Sequence, residues 1–258
     1  MRFGVCAGIE AAKPLAEAGY DYIELAAAGD LIPNEDDAAW ARKRQAIEAM
    51  PLLPEAFNSF IRTGKIVGPE ANPTRLRRYV ETALTRAAQV GGKVIVFGSG
   101  GARNIPDGFP REQAERQLLD FLGYCADAYD RTGVLVAVEP LNRGESNILN
   151  SVREGAELVR RIGRPGVRNL ADTYHMEWEN DPLEAIAASA DVLAHTHTAD
   201  TGRYAPGTGT YDHVAFFRAL RQAGYDARLS IECIWRNFAA EIGPALAHLK
   251  AAHAAAQT

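Results

Sequence analysis

The chain of 258 residues carries a formal net charge of −5, with 47% hydrophobic and 24% charged residues. These values exclude a disordered chain and supply enough apolar side chains for a core without staples. The acidic balance and scattered arginines argue against a nucleic-acid partner, and no run approaches the roughly 18 apolar residues of a membrane span.

From the N-terminus, a β-rich run at 2–7 begins almost at once, without signal-peptide anatomy. Further runs follow at 21–27, 54–60, 93–98, 134–139, 167–173, 193–198 and 229–234. Val94 to Phe97 and Val134 to Val138 are continuously apolar, as expected of parallel strands covered on both faces. Helical patterns lie between the runs. In 73–90, Leu76, Tyr79, Val80 and Leu84 recur at helical spacing behind Asn72-Pro73, a cap followed by a first-turn proline. Residues 110–131, 152–162, 182–190, 213–223 and the alanine-rich 239–256 read similarly. Gly133, Gly163 and Gly224 lie near helix ends, where a left-handed cap is wanted. Eight strand–helix units predict an α/β fold, a (β/α)8 TIM barrel forming a single domain over 1–258. The alternative, a doubly wound open sheet, is weakened by the lack of a GxGxxG turn after the first strand.

Barrels of this kind carry their chemistry at the C-terminal strand ends. Here the fifth run ends in Glu139, the sixth in Asp172, the seventh in His195-Thr196-His197 and the eighth in Glu232. Four of the six histidines fall between positions 175 and 213. Strand alternation turns the three carboxylates and the imidazole toward one mouth. Three carboxylates together repel one another and call for a divalent cation. Oxygen donors with one imidazole favour Mn²⁺, with Mg²⁺, Co²⁺ or Zn²⁺ as alternatives. The cysteines Cys6, Cys125 and Cys233 are far apart, suggest neither a disulfide framework nor a zinc knuckle, and fit a cytoplasmic protein. Glu24, at the end of the second run, reads as a buried hydrogen-bonding residue, and His213 as structural. Gly98–Gly101 could cradle a phosphate, and Arg236 lies near the usual barrel phosphate site, but a simple turn and an unphosphorylated sugar are the preferred readings.

At these residues the sequence resembles the sugar phosphate isomerase/epimerase superfamily of xylose isomerase-like barrels, and within it the ketose 3-epimerase branch (tagatose and psicose epimerases). The segments that carry the resemblance are Glu139-Pro140-Leu141-Asn142-Arg143-Gly144-Glu145, Asp172-Thr173-Tyr174-His175-Met176, His195-Thr196-His197 followed by Arg203 and Pro206-Gly207-Thr208-Gly209, and Glu232. The resemblance implies metal ligation by Glu139, Asp172, His197 and Glu232, acid/base catalysis by Glu139 and Glu232, and substrate binding by Glu145, His175 and Arg203. His195 is expected behind the metal, hydrogen-bonded to a ligand carboxylate. The implied reaction is proton abstraction next to a carbonyl through a metal-stabilised enediolate, on a small sugar, with no nucleic-acid or membrane partner and a homodimer or homotetramer as the assembly. Strand one ends in Cys6-Ala7, without the aromatic residue common in the epimerases, and the segment after strand four also departs from them. Those departures leave hydroxypyruvate isomerase, keto-inositol dehydratase and 3-keto sugar enzymes as alternatives, beside a non-catalytic sugar-binding barrel. The superfamily's abasic-site endonucleases need further histidines from strands three and four, and no histidine precedes His175.

Overall fold

The computed structural model describes residues 1–257. Eight strands close into a parallel barrel in chain order. They are β1 (Arg2–Cys6), β2 (Tyr22–Ala26), β3 (Pro54–Asn58), β4 (Val94–Phe97), β5 (Leu135–Val138), β6 (Val167–Asp172), β7 (Leu193–Thr198) and β8 (Arg228–Ile231). Seven of the predicted runs contain their strand whole, and β8 begins one residue before the run expected at 229–234. The helices are α1 (Ala12–Ala18), α2 (Asp37–Glu48), α3 (Pro73–Gln89), α4 (Gly100–Arg103), α5 (Arg111–Thr132), α6 (Val152–Ile162), α7 (Thr173–Glu179), α8 (Glu184–Ala187), α9 (His213–Gln222) and α10 (Phe238–Ala255). None is long and apolar enough to cross a membrane.

The period-two pattern of the strands separates two apolar layers. Tyr22, Ala56, Val94, Val96, Ala137 and Leu170 fill the barrel interior. Their strand neighbours, including Ile23, Phe57, Ile95, Phe97, Val136 and Val138, pack outward against the helices. A side chain on Gly4 would strike the ring of Tyr22, so the missing Cβ on β1 is what admits the tyrosine to the barrel axis.

Local signals set the helix ends. Asn72 Oδ1 accepts from Arg75 N at 3.0 Å to cap α3, and Ser151 Oγ caps α6 through Glu154 N at 3.2 Å. Gly133 and Gly163 end α5 and α6 at φ of 69° and 60°, where a side chain would be strained. The helix expected at 182–190 is shorter, because the chain must turn into β7. Val192 N and Leu193 N both donate to Ser189 O, at 3.0 and 2.9 Å.

Candidate active site

The site lies at the C-terminal ends of β5 to β8. Glu139 and Glu232 follow the last residues of β5 and β8, and their backbones extend the ladder by one bond each. Glu139 N donates to Phe97 O and Glu232 N to Thr198 O, both at 3.0 Å. Asp172 ends β6 and caps α7, its Oδ1 accepting from Tyr174 N at 2.9 Å. That bond leaves Oδ2 buried without a hydrogen-bond partner. His197 is fully buried on β7. Glu139, Asp172, His197 and Glu232 each offer an atom within 4.8 Å of the others.

Two unit charges 4.8 Å apart repel by about 3.5 kcal/mol at an effective dielectric of about 20. Three ionised carboxylates at or inside that spacing therefore cost about 10 kcal/mol, comparable to the whole stability of a domain. Without a cation, protons must relieve the repulsion. Burial pushes Asp172 up to about 7, helped by the charges of Glu139 and Glu232. Burial also pushes Glu139 up, against the pull of His197. Burial opposes ionisation of Glu232 too, but the hydrogen bond and charge of His197, together with Arg203, hold it at about 2.

Glu24 lies beneath this cluster. Its Oε1 accepts from His197 Nε2 at 2.9 Å, and its Oε2 accepts from His195 Nε2 at 2.9 Å and Ser230 Oγ at 2.5 Å. The Ser230 hydroxyl in turn meets the Tyr22 hydroxyl at 2.7 Å. Burial opposes a charge on His197, but Glu24 and the surrounding acceptors raise its pKa well above the usual imidazole range, so without a cation both ring nitrogens carry protons. Nδ1–H points to Glu139 Oε1 at 3.1 Å and Glu232 Oε2 at 3.5 Å, the direction in which a deprotonated Nδ1 would offer its lone pair to a bound ion. His195 thus reaches Glu24 and not one of the three clustered carboxylates, which corrects the expected partner. The two groups meet across 171 residues of sequence, a pairing that strand alternation alone does not specify.

A cavity of about 230 Å³ opens above the cluster, lined by Asn58, Ser99, Glu139, Glu145, His175, Arg203 and Glu232 among others. His175 Nδ1 accepts from Asn142 N at 3.1 Å, which places the ring proton on Nε2, 3.6 Å from Asp172 Oδ2. Burial and the charge of Arg203 hold this imidazole down at about 3, so it is neutral. Arg203 donates to Glu232 Oε2 at 2.7 Å and Glu145 Oε1 at 3.2 Å, and lies 4.4 Å above the centre of the Tyr174 ring. Every residue predicted for substrate binding therefore lines this cavity.

Gly98 has a role that the sequence did not reveal. A Cβ there would collide with Glu139 Oε2, and one at Gly100 would collide with the Glu145 carbonyl. The turn leaves room for a carboxylate of the protein itself, which is a poor setting for a phosphate. Arg236 is exposed and stacks on Tyr204, 3.8 Å from the ring centre.

Residues 12–254 match the family described as the xylose isomerase-like TIM barrel. The chain belongs to that family. A 3-dehydro-D-guloside 4-epimerase of Escherichia coli K12 is 34% identical over 162 residues, 60% of this barrel and 62% of the relative. The match to a ketose 3-epimerase of Arthrobacter globiformis spans half of each protein. A D-psicose 3-epimerase of Agrobacterium fabrum is 33% identical over 228 residues, 85% of this barrel and 77% of the relative. The crystal structure of a 3-keto-D-glucoside 4-epimerase from E. coli, without ligand, aligns with a TM-score of 0.83 and 26% identity, covering 97% of this barrel and 99% of that one.

Proposed function

We propose that this xylose isomerase-like barrel is a divalent-metal-dependent sugar epimerase or isomerase that moves a proton at a carbon next to a carbonyl, with ketose 3-epimerase as the specific reading. The observation that carries it is the set of buried Glu139, Asp172 and His197 with part-buried Glu232, in which Asp172 Oδ2 lacks a hydrogen-bond partner and three carboxylates are too close to be ionised together unaided. These donors fit a cation of the Mn²⁺, Mg²⁺ or Co²⁺ type, held by those four side chains. When bound, such an ion supplies Lewis-acid stabilisation of the negative charge that develops as the proton leaves.

The side chains supply the proton traffic. Glu139 and Glu232 reach the cavity from β5 and β8, so one can remove the proton and the other return it to the opposite face of the same carbon. Return to the neighbouring carbon would give aldose–ketose isomerisation. Arg203 keeps Glu232 ionised through their 2.7 Å contact. The Nε2–H of His175 and the joined Arg203 and Glu145 offer donors and an acceptor to sugar hydroxyls and the carbonyl. His195 acts through Glu24 rather than on the sugar.

A second reading, epimerisation beside the carbonyl of a 3-keto sugar or glycoside, is favoured by the E. coli relative and the aligned glucoside epimerase. Both readings use the same proton chemistry on different carbons. The test incubates ketoses, aldoses, 3-keto glycosides and their phosphates with the protein and Mn²⁺ in D₂O. The labelled sugar and carbon name the substrate. Glu139→Gln and Glu232→Gln should each abolish exchange, and near-normal exchange in both would remove the assigned pair. Chelation should stop exchange and Mn²⁺ or Co²⁺ restore it. Sugar binding without exchange would make this a binding protein.

A further inference from the structure

Apart from groups that share His197, the described residues bring together one more set of metal-ligating side chains, Asp200, His213 and His248, with one atom of each within 4.8 Å of the others. They come from three places in the chain: the turn after β7, the first residue of α9 and the middle of α10. Asp200 and His213 are each 2% exposed, whereas His248 is half-buried and gives access from solvent.

His213 Nδ1 and His248 Nε2 face each other at 3.1 Å, with the rings nearly perpendicular at 82°. Only one proton fits between the two nitrogens, and the other nitrogen of His213, Nε2, is buried without a partner. As a hydrogen-bonding arrangement the pair shares a single proton. As a ligand pair it is well spaced, since zinc–nitrogen bonds of about 2.0–2.1 Å in a tetrahedron place two ligand nitrogens about 3.3 Å apart. Asp200 supplies an ionised carboxylate, kept so against its burial by backbone N–H donors that include Tyr211 and Thr201.

The surrounding turn is shaped to this cluster. Gly207 has φ of 87°, and a Cβ there would lie 2.9 Å from His248 Cγ. Asp200 Oδ2 accepts from Gly207 N at 2.7 Å. The same loop carries Arg203, whose guanidinium holds Glu232 and Glu145 at the cavity. We propose that Asp200, His213 and His248 form a second divalent-metal site of the zinc class, with solvent in the fourth position, that ties the Arg203 loop to the last helix. Two imidazoles and one carboxylate suit Zn²⁺ or Co²⁺ better than Mg²⁺ or Ca²⁺.

Co²⁺ titration of the whole chain tests this, followed by bound metal and visible absorption. Wild type should bind one more equivalent than His248→Asn. Asp172→Asn, altered at the barrel mouth, should keep the equivalent that His248→Asn loses, so failure at one site is distinguishable from failure at the other. Zn²⁺ should raise the melting temperature of wild type by more than that of His248→Asn, which keeps only the barrel-mouth set, and should still raise that of Asp172→Asn, and all three should melt cooperatively in chelator. Equal cobalt uptake and equal spectra for His248→Asn and wild type would overturn the proposal. Anomalous scattering at the zinc edge from zinc-loaded wild-type crystals answers without any variant: a peak among the three side chains supports the site, and its absence rejects it.

Discussion

Glu24→Gln isolates the part of the site that sequence placed least well. The carboxylate accepts from three donors, His197 Nε2, His195 Nε2 and Ser230 Oγ. Glutamine has the same shape but only one acceptor oxygen, and its NH₂ must face one side of this set. Facing His197, it opposes N–H to N–H, and His197 relieves the clash by moving its proton to Nδ1. That places an N–H where the metal needs a lone pair. Facing His195 and Ser230 instead, the amide spares the His197 proton but still removes the negative charge that makes the imidazole a strong donor. Loss of such a partner behind a ligand typically weakens metal binding 10–100-fold, about 1.4–2.7 kcal/mol. We therefore expect Mn²⁺ affinity, measured by competition with a chromogenic chelator at neutral pH, to fall at least tenfold. Turnover should recover most of its wild-type value at saturating Mn²⁺, because Glu139 and Glu232 are untouched. Affinity within twofold of wild type would refute the tautomer argument, and a loss of turnover that metal cannot rescue would show that Glu24 does more than orient His197.

Other predictions concern the surroundings of the carboxylates. Gly98→Ala puts a methyl group on Glu139 Oε2 and should lower kcat/KM by about 10²-fold, the cost of misplacing a reacting group by about 1 Å, with little change in melting temperature; near-normal kinetics would show that Glu139 can move without penalty. Arg203→Ala releases Glu232 and Glu145 together, so KM should rise and the acidic limb of the pH–rate profile should shift upward as Glu232 loses its cation; an unmoved limb would separate Glu232 from that ionisation. Relative to Asp172→Asn, which removes this ionisation, metal-free wild type should lose stability as pH rises from about 4 to about 7. Asp172 holds its proton more tightly folded than unfolded, so its contribution is present at low pH and lost as pH passes the folded value. Saturating Mn²⁺ should abolish this trend in denaturant titrations, and a difference between the two metal-free proteins that does not change with pH would contradict the crowding of the three carboxylates.

The strands were legible because their physics is local. Val94 to Phe97 and Leu135 to Val138 must be apolar on both faces, and the polar residue that ends such a run projects into the mouth. Glu139, Asp172, His197 and Glu232 could therefore be listed before their distances were known. Helix α2 left little trace, because Trp40 and Ile47 are its only buried side chains and the periodic signal is correspondingly weak. The task of Gly98 depends on a side chain from the next strand occupying the space of its absent Cβ. Glu24 joins His197 across 173 residues. Its glutamate is visible in the sequence, but not the two imidazoles it serves. For Gly98 and Glu24 the missing information is a contact between strands, which composition and period do not encode.

The tyrosine seated against Gly4 gives the barrel only one working end. With Tyr22, Val94, Leu170 and their neighbours packed across its axis, the floor beneath Glu24 is sealed, and solvent protons destined for His195, His197 and Ser230 must enter through the same opening as the sugar. An occupied cavity should then isolate that buried hydrogen-bond chain from bulk water. Any label a substrate carries into the mouth would be diluted by solvent only after the product has left.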